Sequence, residues 1–488
     1  MTRHIVQPSG MLHSDSASCG VPQAAHSVPN QEHNDHDGVS MTLSDINPES
    51  ESASLVGDLY RHYRALERDI RVNEKSTRTT YRSPVNFIES MQKPRHRWFP
   101  YKEGFSPSFV EEFLTTRVSI NGGLVVDPFS GSGTTALVAG ELGFRGLGFD
   151  VSPLTDFVAR TKAVVMSAKE LRSLKSYLLD FANSPLGSRA SNPNNTTVER
   201  YFEPEVLDAL LRAKGFFSEI DCPKISSLFK LAFLSAIEPF STHRKAGNGV
   251  KRKTNYEWPT AETDSVLAVK HFMGEILEMF ASDIEQTPNF YPPEFLQRSC
   301  LGDSLSEEVE DVSAVLTSPP YANCFDYSKI YMSELWLGDF FESKADQQAF
   351  REASVRSHVH ATWADRYCEF GVPVVDEIIR PYIEEQDLWS PRIGSMLSGY
   401  FADLGNLLTN LKPRMRNGGK LGFVVGNSFY GGVAVATDLL LAELGRSRGY
   451  EVEEVRVYRG IIPSSQQFRK LGNNRKYMRE SMVVLRRS

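Results

Sequence analysis

The stretch "GLVVDPFSGSGTTALVAGELGFRGLGFDVS", residues 123–152, contains the strongest indication of fold class in this 488-residue chain. The apolar residues 124–126 predict a strand, and the turn that follows contains two glycines. Residues 134–141 then predict a helix, and 146–149 predict a second strand that ends in Asp150. Strand, glycine turn, helix, strand and acid is the layout of a nucleotide-binding βαβ unit. Its glycines let the backbone approach a ligand, and its acid can accept hydrogen bonds from ribose hydroxyls.

Three other interpretations of the glycine turn compete. A phosphate-binding P-loop needs a lysine after the glycines, and none follows here, which disfavours ATP or GTP. A G-x-G-x-x-G dinucleotide fingerprint needs a third glycine where Ala136 stands, and Asp127 is unusual before such a turn. A purely structural glycine turn stays open.

A second informative stretch, "VLTSPPYANCFDY" at 315–327, follows another apolar run that predicts a buried strand. Pro319 and Pro320 cannot continue a central strand because proline lacks an N–H donor and has a fixed φ. The strand therefore ends on a rigid turn with Tyr321 behind it. A turn that merely ends the strand is the alternative.

Both stretches resemble motifs of one enzyme family. The D-P-F-x-G-x-G pattern at 127–133 is similar to motif I of S-adenosylmethionine-dependent DNA methyltransferases that act on exocyclic amino groups. The sequence Leu-Thr-Ser-Pro-Pro-Tyr at 316–321 resembles motif IV of the cytosine-N4 members. The resemblance implies an α/β fold with a doubly wound, Rossmann-like methyltransferase sheet. It also implies S-adenosylmethionine as cofactor and duplex DNA as partner.

The resemblance assigns residues to the cofactor. It implies that Phe129, Gly131 and Gly133 cradle S-adenosylmethionine. Asp150 is expected at the ribose, and Asp127 is expected near the methionine amino group.

Other segments resemble further family motifs. "GDSL" at 302–305 is similar to motif III, which implies that Asp303 binds the adenine amine. A lipase-type nucleophile at Ser304 is disfavoured because no histidine near the C-terminus could act as its base. "HRWFPYKEGFSPSFVEEFL" at 96–114 resembles motif X, which helps to enclose the methionine end of the cofactor. The segment 417–428 resembles the fifth strand of the family's sheet, and 479–487 resembles its closing strand.

The motif IV resemblance implies a catalytic role for Ser318, Pro319, Pro320 and Tyr321. An exocyclic amine is a weak nucleophile because its lone pair is delocalised into the ring. A site that activates it must accept hydrogen bonds from the NH₂ group, which the Ser318 hydroxyl and the Pro319 carbonyl can do. Tyr321 supplies an aromatic face on which a flipped-out base can stack. The amine displaces the methyl group directly, so no covalent enzyme intermediate is needed.

Composition and charge narrow the partners. Hydrophobic residues at 41% and charged residues at 24% are ordinary for a globular protein, and no apolar run has the roughly 18 residues of a membrane span. With no signal-type segment at the N-terminus, we expect a cytoplasmic protein without membrane contact. The five cysteines form no CxxC pair, which argues against a disulfide scaffold and against a metal site.

The net charge of −7 is unevenly distributed along the chain. Residues 1–56 contain seven acidic residues against Arg3, and 456–488 contain nine Lys and Arg against Glu480. A second basic cluster, "HRKAGNGVKRK" at 243–253, includes Lys251, Arg252 and Lys253 and suggests a mobile loop that binds DNA phosphates. A solvated surface is the alternative for either cluster.

The pattern along the chain predicts a methyltransferase domain interrupted by two mainly helical insertions. The N-terminal segment is polar and poor in aromatics, which predicts disorder, and an N-terminal helical arm follows it. The first insertion contains a helical apolar stripe that we assign to core packing. The predicted segments are the tail 1–55, the arm 56–100, the domain parts 101–160, 301–337 and 399–488, and the insertions 161–300 and 338–398, the first of which is a candidate for target recognition.

These observations predict a site-specific DNA methyltransferase that acts on cytosine N4 in restriction-modification or host defence, with a cognate restriction endonuclease as a candidate partner. Adenine-N6 methylation is the nearest alternative because both reactions use the same flipped-amine geometry. An RNA or protein methyltransferase and a cofactor-binding regulator without catalysis are further alternatives. A cytosine-C5 enzyme is disfavoured, because its chemistry needs a cysteine after a proline and the chain has no Pro-Cys pair.

Overall fold

The structure is a computed structural model. It describes residues 51–74, 83–118, 122–287, 291–301, 309–361, 363, 371–461 and 472–488. The predicted tail up to residue 50 and Asp303 therefore lie outside the described residues.

The described strands are short except near the C-terminus. In chain order they are β1 (Val72–Glu74), β2 (Leu124–Asp127), β3 (Arg145–Asp150), β4 (His243–Ala246), β5 (Gly249–Arg252), β6 (Glu294–Gln297), β7 (Val312–Thr317), β8 (Met415–Gly426), β9 (Ser428–Tyr430), β10 (Val433–Val435), β11 (Tyr450–Gly460) and β12 (Arg479–Arg487).

Helices separate most of these strands. They are α1 (Glu51–Asp69), α2 (Pro107–Arg117), α3 (Thr134–Glu141), α4 (Pro153–Lys162), α5 (Ala168–Asn183), α6 (Thr196–Glu199), α7 (Pro204–Ser218), α8 (Pro223–Phe240), α9 (Ser265–Gln286), α10 (Tyr327–Ile330), α11 (Met332–Leu337), α12 (Lys344–Ala353), α13 (Arg380–Glu384), α14 (Ile393–Leu411) and α15 (Thr437–Ser447).

Eight strands form one sheet in the order β1-β11-β12-β8-β7-β2-β3-β6. The five from β8 to β6 are parallel, and β12 runs antiparallel to both of its neighbours. The chain passes from β2 outward to β3 and β6, and then returns to β7 on the other side of β2. The strand order thus reverses between β2 and β7, and open α/β sheets bind ligands at the carboxyl ends of their strands at such a point. This confirms the predicted doubly wound sheet.

The βαβ unit forms as its sequence predicts. Every residue of β2 is buried, because the strand is central in the sheet and its alternate side chains pack into two different hydrophobic cores. The helix α3 has the predicted bounds. Gly133 lies at the start of α3 with φ 86°, in the left-handed region that favours glycine. A Cβ there would come within 2.9 Å of both Ala159 and Phe295, so this glycine lets α3 pack closely against α4 and β6.

The long segment between β3 and β6 is mainly helical. α8 is buried along most of its length, and Val269, Met273, Leu277 and Phe280 of α9 lie in the same core, as the apolar stripe predicted. The basic cluster predicted as a loop instead forms a hairpin of β4 and β5, which pair antiparallel.

Several elements cross the segment limits drawn from the sequence. α1 begins at Glu51, so residues 51–55 belong to a helix and not to the tail. β6 falls within 161–300, yet it extends the sheet by parallel pairing with β3. α14 begins at Ile393, inside the predicted insertion 338–398, and it is mostly buried because its apolar side chains pack in the core that includes β8. The places of β6 and α14 in the fold depend on packing against elements distant in sequence.

Candidate active site and cofactor cavity

A cavity, the first of two at this site, opens at the carboxyl ends of the central strands. It encloses about 940 Å³, including the space at its open mouth. Its walls come from the ends of β2, β3, β6 and β7, from the segment before α2, and from residues between 350 and 358. It therefore lies at the point where the strand order reverses, as expected for a doubly wound sheet.

Asp127 lies at the end of β2 and lines the first cavity. Its side chain accepts hydrogen bonds from the Phe129 N–H at 3.1 Å and from the Thr317 hydroxyl at 2.6 Å. Burial raises the pKa of Asp127 to about 6, although these hydrogen bonds oppose the shift. A cationic group of a ligand would stabilise the ionised form.

Asp150 occupies the matching place at the end of β3. Its two carboxylate oxygens accept from the backbone N–H groups of Gly131 and Ser152, each at 2.8 Å. Burial raises the pKa of this carboxyl to about 6 as well. A hydrogen bond therefore joins Asp150 directly to the glycine turn, the two features that the sequence assigns to one βαβ unit.

The two glycines of the turn have different surroundings. Gly131 and Phe129 both line the first cavity. Gly131 has φ 48°, and a Cβ on this residue would lie 2.8 Å from the Tyr101 ring. Gly133 does not belong to the cavity wall and contacts Ala159 and Phe295 instead. Only the first glycine brings backbone to the cavity surface.

The turn after β7 takes part in two cavities. Ser318 and Pro320 line the first cavity, whereas Tyr321 lines a second one, and Pro319 is buried. The Tyr321 hydroxyl donates to Glu480. The Tyr321 ring packs so closely on Gly426 that a Cβ on that glycine would lie 2.8 Å from the ring. Burial raises the pKa of Tyr321 far above its usual range, and Glu480 adds to this shift.

The second cavity is open and combines aromatic faces with polar groups. Trp389 lies at its wall with 66% of its surface exposed, which is unusual for a tryptophan. The other aromatic side chains are Tyr321, Phe429 and Tyr430, and the polar ones include Asn248, Asn323, Arg459 and Glu480. Stacking faces beside hydrogen-bonding groups suit a planar heterocycle.

The hairpin of β4 and β5 reaches this second cavity with its tip. The Asn248 side chain donates to the Asn323 carbonyl oxygen at 3.3 Å. Lys251 and Arg252 are exposed on the hairpin, but Lys253 is half-buried. The ammonium group of Lys253 donates to the carbonyl oxygens of Glu238 and Pro239, at 2.8 and 2.9 Å. The three cations predicted to act together therefore have different surroundings.

Sequence reasoning missed some of the wall of the first cavity. Residues 298–301, just after β6, contribute to it, and so does Tyr327. Glu103 also lines it, within the segment 96–114 that resembles motif X, but the sequence did not single this residue out. The four-residue strand β6 has too little alternation to predict a strand, so its carboxyl end could not be located. Asp303 follows this wall but lies outside the described residues.

Some site types are not found in the part of the chain that the structure describes. No group of three or more His, Cys, Asp or Glu side chains there is arranged to hold a metal ion. Cys222, Cys300 and Cys324 are free thiols. None of the described helices combines the length and apolar character needed to cross a membrane.

Comparisons with known proteins show which proteins this chain resembles. A family model described as DNA methylase matches residues 56–154, which include the βαβ unit. The chain is 24% identical to the Type II methyltransferase M.AvaI of Nostoc sp., covering 90% of this chain and 96% of that one. It is 26% identical to the Type II methyltransferase M.BsoBI of Geobacillus stearothermophilus, covering 84% and 89%. It is 38% identical to M.MjaII of Methanocaldococcus jannaschii over 88 residues, which are 18% of this chain and 16% of that one.

These similarities support an amino DNA methyltransferase, so the protein is an enzyme. S-adenosylmethionine is its methyl donor. The first cavity fits this cofactor, because it offers one buried and one partly buried carboxylate and a glycine backbone to a ligand that has cationic groups and ribose hydroxyls.

Proposed function

We propose that the protein transfers a methyl group from S-adenosylmethionine to the N4 amine of cytosine within a specific duplex sequence, as the modification enzyme of a restriction-modification system. The relatives named Type II methyltransferase support the setting. One observation carries the reaction type: the Ser-Pro-Pro-Tyr turn contributes to the walls of both cavities, with Ser318 and Pro320 on one and Tyr321 on the other. A cognate restriction endonuclease is the partner this setting implies.

In this proposal the turn after β7 activates the amine. The Ser318 hydroxyl and the Pro319 carbonyl oxygen accept hydrogen bonds from the NH₂ group, which localises the lone pair on nitrogen. Bound S-adenosylmethionine supplies a sulfonium methyl group and is left as S-adenosylhomocysteine. The new N–C bond forms as the S–C bond breaks, and the amine releases one proton to solvent. No side chain of the turn forms a covalent bond.

The second cavity receives the flipped-out base. Tyr321, Phe429 and Tyr430 contribute aromatic rings to its wall, and each base stacked on such a ring gains about 1–3 kcal/mol. The Tyr321 ring is fixed by its hydroxyl bond to Glu480, which limits its rotation. A fixed ring orients the base for transfer better than a mobile one.

The first cavity holds the cofactor. Asp150 accepts the ribose hydroxyls and Asp127 lies near the methionine amino group. Phe129 and Gly131 form the adjacent wall, while Gly133 sets the position of the turn by its close packing. Asp303 is assigned to the adenine amine on the resemblance of its sequence alone.

The exposed cations of the hairpin contact DNA phosphates. Lys251 and Arg252 lie on the same hairpin as Asn248, which reaches the second cavity. A phosphate contact at this place would hold the duplex where a flipped base can enter the cavity. Lys253 does not take part in this contact, because its ammonium group is bound to carbonyl oxygens.

Adenine-N6 methylation is the second candidate. It uses the same acceptor geometry and the same stacking face, so the described contacts suit both bases. Serine at position 318 favours cytosine through its resemblance to the cytosine-N4 motif.

Single-molecule sequencing of DNA from a methylation-free host that expresses the protein tests the proposal. We expect N4-methylcytosine at one sequence motif, lost with Tyr321→Ala and with Ser318→Ala but retained with Tyr291→Ala, which removes an exposed ring. Both inactive variants should still bind S-adenosylmethionine. Methylated adenine would establish the second candidate, and unmodified DNA from soluble wild-type protein would contradict both.

A further inference from the structure

One cation of the basic hairpin is turned into the protein. Lys245 of β4 has 8% of its side chain exposed and lies between two carboxylates. Its ammonium group is 2.9 Å from Glu238 and also pairs with Glu334, which is 2% exposed. Burial lowers the pKa of Lys245, but the two glutamates together outweigh burial and raise it. Lys245 is therefore charged and already paired, and it cannot serve as a phosphate contact.

Tyr331, between α10 and α11, connects this ion pair to another part of the molecule. The ammonium group of Lys245 lies 4.7 Å from the centre of the Tyr331 ring, within the range of a cation–π interaction. Tyr331 also contacts the segment before α2. Its hydroxyl donates to Glu103, and its ring stacks on the Tyr101 ring with 5.5 Å between the ring centres.

Glu103 and Tyr101 both line the first cavity. Tyr101 also lies against Gly131, the glycine that brings backbone to the cavity. A continuous set of contacts thus runs from the hairpin through Lys245 and Tyr331 to the wall of the first cavity.

Glu103 has acceptor capacity that the protein does not use up. A carboxylate has about four acceptor positions, and the Tyr331 hydroxyl occupies one. Burial raises the pKa of Glu103 although Tyr331 and Lys245 oppose the shift, so a further cationic partner at the cavity wall would favour the ionised form. A cationic group of a ligand would be such a partner. In S-adenosylmethionine the cationic groups are the sulfonium and the α-ammonium, and of these only the ammonium donates hydrogen bonds.

We infer that Glu103 binds the α-ammonium group of the cofactor, and that Tyr331 and Lys245 are positioning residues that hold Glu103 and Tyr101 in the cavity wall. The inference rests on the proposed function only for the identity of the ligand. It separates the basic cluster into two roles: Lys245 supports the cofactor site, whereas the exposed Lys251 and Arg252 face outward.

Calorimetric titration of the full chain without DNA tests this inference. The probes are S-adenosylmethionine and 5′-methylthioadenosine, which has the adenosine part but no amino acid. We expect Glu103→Gln to weaken S-adenosylmethionine binding about tenfold, as loss of one charge-assisted contact implies, and to leave methylthioadenosine binding unchanged. Tyr331→Phe keeps the ring but removes the hydroxyl, and it should weaken S-adenosylmethionine binding about threefold to tenfold with the same selectivity.

The role of Lys245 needs a variant that leaves no unpaired buried charge. Lys245→Met combined with Glu334→Gln removes both members of the more buried of the two ion pairs of Lys245, so folding is retained more readily than with either change alone. This double variant should weaken S-adenosylmethionine binding selectively without changing the salt dependence of DNA binding. Lys251→Met is the matched control and should leave cofactor binding at the wild-type value.

The outcomes are distinguishable. Unchanged S-adenosylmethionine affinity in Glu103→Gln and Tyr331→Phe would overturn the inference, and so would an equal loss for both probes, which indicates general disruption of the cavity. A wild-type protein that binds neither probe would instead contradict the proposed function.

Discussion

The two basic regions of this protein have similar compositions but different surroundings. In the hairpin segment 243–253, Arg244, Lys251 and Arg252 are exposed, and no carboxylate of the described residues forms an ion pair with them. In the C-terminal stretch 456–488 most described cations are paired. These pairs are Arg456 with Glu454, Arg459 with Glu480, Lys476 with Glu67, Arg479 with Asp438 and Arg486 with Glu451.

The difference shows that a count of positive charges does not locate a phosphate-binding surface. A cation that already contacts a carboxylate must give up that contact before it binds a phosphate, whereas an exposed one exchanges only water and counterions. The hairpin is therefore the stronger candidate for contact with DNA. The C-terminal cations chiefly stabilise the sheet and its neighbours.

The largest expected effect concerns the most buried C-terminal cation. Arg479→Met removes the partner of Asp438, whose side chain is fully buried, at 0% exposure. An unpaired buried charge costs about 3–5 kcal/mol, so we expect a loss of stability of that size in urea unfolding. Arg252→Met on the hairpin is the control and should change stability by less than about 0.5 kcal/mol. Equal losses for the two variants would contradict the comparison.

The next effect is on DNA binding. Replacing Lys251 and Arg252 with Gln should flatten the slope of log affinity against log salt by about 2 units, because each phosphate contact contributes about 0.9. Replacing Arg456 and Arg486 with Gln removes the same charge from the C-terminal stretch and should leave the slope unchanged. Fluorescence anisotropy with an unrelated duplex at several salt concentrations measures both. If the C-terminal pair changed the slope more, the assignment of the two regions would be reversed.

Buried and exposed charges should also differ in their response to pH. Burial raises the pKa values of Asp127 and Asp150 to about 6 in the free protein, and a bound cation or hydroxyl donor favours their ionised forms. Cofactor binding therefore releases protons, and its affinity should fall by up to about tenfold for each group per pH unit below 6. The hairpin's phosphate contacts do not involve these carboxyl groups, so they are not expected to follow this pH dependence.

Calorimetry of S-adenosylmethionine binding between about pH 5 and 8 tests this expectation. Asp150→Asn should bind more weakly at neutral pH and show a shallower decline in acid. A flat wild-type profile would mean that neither carboxylate contacts the cofactor in its ionised form.

The smallest effect sharpens the comparison within the hairpin segment itself. Lys253 donates to the Glu238 and Pro239 carbonyl oxygens at the last turn of α8, so Lys253→Gln should lower stability by about 1 kcal/mol. It should not alter the salt slope, although the residue adjoins Arg252 in sequence. A loss of slope equal to that of Lys251→Gln would show that this ammonium group leaves α8 to bind phosphate.

The local parts of the fold could be predicted because their signals are local. The strand before Asp127, the glycine turn and α3 follow one another within 18 residues, and their limits agree with the prediction. Asp150 could be paired with the turn for the same reason, and the structure joins it to Gly131 by a hydrogen bond. The strand β12 was also evident in the sequence.

The class of sheet, the position of its turn and the acids at its strand ends could be predicted without the structure, because hydrophobic periodicity and glycine placement act over a few residues. Which cations face solvent depends on tertiary packing. Lys245 and Lys251 belong to one short cluster, yet Lys245 pairs with Glu334, which is 89 residues away. The second cavity likewise combines residues from six separate segments. Burial and pairing depend on partners brought together by folding, and no local pattern contains them.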